Sequence, residues 1–196
     1  MYSVYLWVMG RPDEAMAETK RAQALDPLSL TLNTALGEDA YYARQYDEAI
    51  AQLEKTINLD PHYYRGYLLL GHAYEQKKMY KQAIETFQKG TTQAQRHPQL
   101  VSSLGCTYAL AGERDKAHQA LAELREMSKH RYISPYLFAV VYVGLGDKDQ
   151  AFAWLEKAYQ DRSFWLIWLK VEPRFDSLRD DPRFQDLLRR VGVPQS

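Results

Sequence analysis

Glu38, His72 and Cys106 are the residues whose types invite chemistry, because they recur at a constant step of 34 residues. A thiol beside an imidazole that a carboxylate orients is an activated-nucleophile arrangement, with Cys106 attacking and His72 as its base. The same donor types can ligate a metal. Against the catalytic reading, nothing in the sequence supplies an oxyanion hole for the intermediate that such a thiolate would form. No phosphate loop, dinucleotide fingerprint, His-Glu-x-x-His or nucleophile elbow is present either. Three such residues in one column also arise on an ordinary surface. That reading is preferred, so no catalytic residue, metal ligand or cofactor is assigned.

The step of 34 belongs to the whole chain rather than to these three residues. Ala15, Ala49, Ala83, Ala117 and Ala151 keep it, as do Gly37, Gly71, Gly105 and Ala139, the aromatics Tyr74, Tyr108 and Tyr142, and Pro27 and Pro61, each after Leu-Asp. Within one period the apolar residues recur at helical spacing twice, which predicts a pair of amphipathic helices per unit. Gly or Ala in the first helix and Ala early in the second mark crossings where backbones approach closely. Leu70 and Tyr74 share one face, and Ile84 and Phe87 share the facing one. Asp-Pro at 26–27 and 60–61 predicts a helix stop followed by proline in the next first turn.

Leu70-Gly71-x-x-Tyr74 with Ala83-x-x-x-Phe87, and Leu104-Gly105-x-x-Tyr108 with Ala117-x-x-x-Leu121, resemble the tetratricopeptide repeat. Other units are looser: Ala40 stands where the aromatic belongs, Phe138-Ala139 replaces Leu-Gly, and the closing proline is missing from the third, fourth and fifth units. The resemblance implies an all-α, right-handed superhelical solenoid of antiparallel helix pairs with a C-terminal capping helix. In its register the units are 1–29 (partial), 30–63, 64–97, 98–131 and 132–165, followed by a segment 166–196, all as one continuous domain. The first unit lacks its opening positions and begins on Tyr2, Val4, Tyr5, Leu6 and Val8, so an upstream effector domain is expected in a longer chain.

The resemblance further implies a concave groove that holds a protein or peptide partner along the first helices. Its expected lining is Thr34, Glu38 and Tyr41 (with Thr31) in the second unit, and Arg65, Leu68, His72 and Glu75 in the third. Ser102 and Cys106 (with Gln99) follow in the fourth, and Tyr136 and Val140 (with Ile133 and Val143) in the fifth. Some members clamp a terminal carboxylate with Lys and Asn here. Thr34 and Leu68 stand in the lysine places and Glu38 and His72 in the asparagine places, which argues against a partner of that type. The lining turns apolar toward the C-terminus. Either the FWLIWL run, Phe164 to Leu169, folds back to cover it, or the chain is a sensor binding an apolar small molecule near Tyr136 and Val140.

The tail contains Asp181-Pro182 opening a short helix with Phe184, Leu187, Leu188 and Val191 on one face and Arg189 and Arg190 at its end, the pattern of a cap. The stretch from Tyr142 through Trp154-Leu155-Glu156-Lys157-Ala158-Tyr159 to Arg183-Phe184 resembles the repeat regions of bacterial signalling and transcriptional regulators. Trp7, Trp154, Trp165 and Trp168 are read as core rather than as a stacking surface. Lys plus Arg and Asp plus Glu are 25 each, which argues against a nucleic-acid partner. The single cysteine excludes an internal disulfide and a multi-thiolate zinc site and makes a reducing cytoplasm the default. No run is long enough to span a bilayer.

Overall fold

The computed structural model describes residues 2–94 and 96–192. Among them there is no strand. Ten of the described helices form five antiparallel pairs: α1 Tyr2–Val8 with α2 Pro12–Leu25, α3 Leu30–Tyr42 with α4 Tyr46–Leu59, α5 Tyr64–Gln76 with α6 Tyr80–Gln93, α7 Pro98–Leu110 with α8 Arg114–Ser128, and α9 Pro135–Leu145 with α10 Lys148–Gln160. Two 3-10 segments, Phe164–Trp168 and Pro173–Leu178, lead to α11, Pro182–Val191. The chain divides into two compact units, α1–α6 and α7–α11.

The small residues act where the periodicity places them. A Cβ on Gly71 would stand 2.4 Å from the Phe87 ring, and one on Gly37 would stand 2.5 Å from Leu53, so α5 meets α6 and α3 meets α4 at distances only glycine permits. Ala15, Ala49, Ala83, Ala117 and Ala151, at the other crossings, are fully buried.

The Asp-Pro signals mark turns rather than helix starts. Ser29 N–H donates to the Asp26 carbonyl at 3.2 Å and Tyr63 N–H to that of Asp60 at 3.1 Å, which puts each proline second in a four-residue turn. The helices begin three residues after the prolines, at Leu30 and Tyr64. The fifth pair also departs from the strict register. Its first helix starts at Pro135, where Ser134 Oγ accepts from Tyr136 N–H, and residues 131–133 stay outside it.

Within each pair the turn passes through the left-handed region at one column: Gly10, Arg44, Lys78, Gly112 and Gly146 have φ of 72°, 65°, 60°, 85° and 73°. An L residue there costs about 1–2 kcal/mol, against about 0.5–1 kcal/mol of backbone entropy for glycine. Lys78→Gly therefore raises stability by about 0.5–1 kcal/mol, seen as a higher urea midpoint at unchanged slope. An unchanged or lower midpoint would show that Lys78 carries no strain.

α1 is fastened to α3 through a buried carboxylate. Trp7 Nε1 donates to Asp39 Oδ1 at 2.6 Å and Ser3 Oγ donates to the same atom at 3.1 Å. Burial pushes the Asp39 carboxyl above its ordinary pKa, opposed by hydrogen bonds from Thr19, Trp7 and Ser3.

Candidate functional site

Apart from Ile133, which precedes α9, the expected lining residues sit on α3 and α5 in the first unit and on α7 and α9 in the second. Close packing of the helices buries most of them. Thr34, Tyr41, Leu68, His72 and Glu75 are buried in the first unit, and Ser102, Cys106, Tyr136 and Val140 in the second. Thr31 is exposed and Gln99 and Val143 are half-buried, and two charged lining residues are reachable from solvent: Arg65, with 48% of its side chain exposed, and Glu38, with 18%. They meet across α3 and α5, Arg65 Nη2 to Glu38 Oε2 at 3.4 Å.

The same two helices, with α6, also share a cluster of aromatic rings. The His72 ring is edge-on to Phe87 at 5.5 Å between centroids and 6.0 Å from Tyr41, which in turn meets Tyr42 edge-on at 5.4 Å. Thr34 spends its hydroxyl on the Leu30 carbonyl at 2.6 Å. Glu38 thus faces Arg65, while His72 is built into the core.

In the second unit the expected apolar face is covered. Tyr136 stacks on Trp165 at 6.2 Å and packs on Phe175 at 5.4 Å, and Val140 shares a core with Leu166, Leu169, Phe175 and Leu178. Burial raises the Tyr136 phenol pKa. The segment carrying Phe164 to Leu178 therefore occupies the place where an apolar small molecule would have to sit, which removes the opening on which the sensor reading depends. Ser102 Oγ donates to the Leu137 carbonyl at 2.6 Å. The Cys106 thiol is 1% exposed, at a crossing where a Cβ on Gly144 would stand 3.0 Å from its sulfur. With Cys106 closed to substrate and His72 packed on Phe87, the thiol-catalysis reading loses its accessible nucleophile and its base. No group of three or more His, Cys, Asp or Glu among the described residues could hold a metal ion.

Two features escape sequence reasoning. Glu172, 3% exposed, takes a two-pronged pair from Arg174, Nε to Oε1 at 3.0 Å and Nη2 to Oε2 at 2.9 Å, which satisfies a buried carboxylate at the start of the second 3-10 segment. Nothing in the residue pattern signals it. The second is the Asp39 hub, for which an acid on an otherwise apolar helix stripe is the available sign.

The cap follows its sequence. Asp181 accepts from Arg183 N–H and Pro182 occupies the first turn of α11. The Arg183 side chain holds the Asp181 carboxyl down at about 2. Phe184, Leu187 and Leu188 are buried. Trp7 and Trp168 are buried, Trp154 stacks on Phe138 at 4.3 Å and Trp165 stacks on Tyr136, so the tryptophans serve packing.

Family models of the tetratricopeptide repeat match residues 40–104 and 136–160. Protein bimA of Emericella nidulans is 29% identical over 119 residues, a match spanning 61% of this chain but 15% of that protein. Among solved structures, TTC0263, a thermophilic TPR protein of Thermus thermophilus, superposes with a TM-score of 0.66 at 24% identity, covering 96% of both chains. MamA superposes with a TM-score of 0.56 at 23% identity, covering 81% of this chain and 92% of its own. The all-helical repeat fold is common to these structures. No helix among the described residues is long and apolar enough to cross a membrane.

Proposed function

We propose that this chain is an interaction module that holds a protein or peptide partner on the face shared by α3 and α5. Arg65 and Glu38 are its polar contacts, and Thr34, Tyr41, Leu68, His72 and Glu75 form the packed core that keeps those contacts in place. The observation that carries the reading is the Arg65–Glu38 pair itself, a reachable cation and anion set 3.4 Å apart across two neighbouring helices. An exposed pair of this kind contributes only about 0–1 kcal/mol, so a partner can exchange it for intermolecular pairs at little cost. A rigid core lowers the ordering cost of binding.

The fold supports an interaction role because stacked helix pairs offer an extended surface rather than an enclosed pocket. The module assigns no catalytic step, metal or cofactor to itself. The same reading places it in the cytoplasm as the interaction part of a longer regulator with an upstream effector domain. The cytoplasmic part rests on the single cysteine, and the regulator part on the likeness of residues 142–184 to the repeat regions of bacterial regulators.

Affinity capture with the natural full-length protein tests the binding face. Arg65→Glu, which places two acids together on an exposed surface, should leave the far-UV spectrum unchanged and lose one specific protein that the unaltered chain retains. Retention of the same proteins would overturn the assignment of this face. Substitutions at Tyr41 or Tyr136, 0% and 3% exposed, would disturb packing instead and are poorer probes.

A further inference from the structure

A second surface of the first unit has the shape and charge of a binding site and lies apart from Arg65. It is a trough of about 420 Å³ whose floor is one stripe of α5 and whose walls are α4 and α6. Tyr67, Leu70 and Tyr74 stand on the floor, spaced three and four apart along the helix and so aligned on one side. From Tyr67 to Tyr74 the stripe rises roughly 10 Å, about two helical turns. Ile57 of α4 adds apolar surface, and the walls above it are polar.

The charge is distributed along the trough. α4 and α6 both run antiparallel to α5, so Glu54 and Gln82 border its Tyr74 end while Lys89 borders its Tyr67 end. Tyr74 Oη donates to Glu54 Oε1 at 2.9 Å, which fixes the carboxylate at that end. Burial, together with Glu54, pushes the Tyr74 phenol up to about 12, so it remains a donor at neutral pH. Glu85 adds a second acid from α6, one turn from Lys89. The lining therefore carries two carboxylates against one ammonium, with the acids toward the Tyr74 end.

We propose that this trough docks a short basic amphipathic peptide segment, seating an apolar side chain on Ile57, Leu70 and the tyrosine rings and a Lys or Arg beside Glu54 and Glu85. A long cationic side chain suits the place, because its methylene stem lies along the Tyr74 ring while its charge reaches the carboxylates. A cation above a tyrosine face gains further attraction. An acidic segment would meet Glu54 and Glu85 and be repelled. The surface is separate from the α3–α5 face, so one module can hold two segments at once.

Two synthetic fifteen-residue amphipathic peptides of identical apolar sequence, one flanked by Lys and one by Glu, distinguish the outcomes when titrated into the full chain and followed by amide NMR shifts. The Lys peptide should shift resonances of residues 54–58, 67–74 and 82–89, and bind at least tenfold more tightly than the Glu peptide. Glu54→Lys with Glu85→Lys, both exposed positions, should abolish that preference while leaving the spectrum folded. Arg65→Glu should leave it intact, which separates failure here from failure of the α3–α5 face. Equal binding of both peptides, shifts confined to other residues, or an unchanged preference in the double variant would overturn the proposal.

Discussion

Phe87→Ala should cost the first unit about 3–5 kcal/mol, the loss expected for truncating a buried aromatic ring. Phe87 is fully buried, lies against the bare backbone of Gly71 and meets the His72 ring edge-on at 5.5 Å. No neighbour can refill the space, because the Gly71 side of the crossing has no side chain to rotate inward. The same column of other units holds Leu53, Leu121 and Leu155, each at most 1% exposed. Phe87→Leu should therefore cost less than about 1.5 kcal/mol, as shape-tolerant apolar exchanges do. Urea denaturation monitored by far-UV circular dichroism reads both. A loss below about 1 kcal/mol for Phe87→Ala would mean that the α5–α6 crossing does not depend on this contact.

The second unit should be as sensitive to Phe175→Ala, again by about 3–5 kcal/mol, and with a different signature. Phe175 is fully buried between Tyr136 and Phe184, at 5.4 and 6.4 Å between ring centroids. It joins the irregular segment to α9 on one side and to α11 on the other. Removing it should loosen the cover over Tyr136 and Val140, so binding of an apolar fluorescent dye rises before unfolding begins. Phe164→Ala is the matched control. That ring is 64% exposed, and its loss should stay within about 0.5 kcal/mol. Equal, small effects of the two substitutions would show that residues 164–178 do not hold the cap in place.

The helix pairs are legible because helical periodicity and small-residue columns reinforce one another at every step of 34 residues. Gly71 opposite Phe87, and the Asp181-Pro182 start of α11, are readable from residue type alone. What periodicity cannot show is how closely neighbouring first helices approach. Tyr41, His72, Cys106 and Tyr136 all belong to the expected groove lining, yet packing buries them, whereas Arg65 and Glu38, the latter in the same repeat column as His72 and Cys106, stay accessible as a charged pair. Proline position is ambiguous for a related reason. Its fixed φ suits both a first helical turn and the second place of a tight turn, and only the Asp26–Ser29 and Asp60–Tyr63 hydrogen bonds choose between them.

Other features lie in geometry that residue type does not encode. Arg44 and Lys78 adopt left-handed φ although neither is glycine, and the sole hint is glycine at the same column in Gly10, Gly112 and Gly146. The covering of Val140 is an open alternative in the sequence. The aromatic contacts of Trp165 and Phe175 with Tyr136 decide it.

Backbone hydrogen exchange on the natural full-length protein, with and without the partner that Arg65→Glu fails to capture, tests the interaction face most directly. The account predicts added protection within residues 30–42 and 64–76, centred on Glu38 and Arg65, and its loss in the Arg65→Glu chain. Protection confined to other helices, or unaltered by Arg65→Glu, would contradict it.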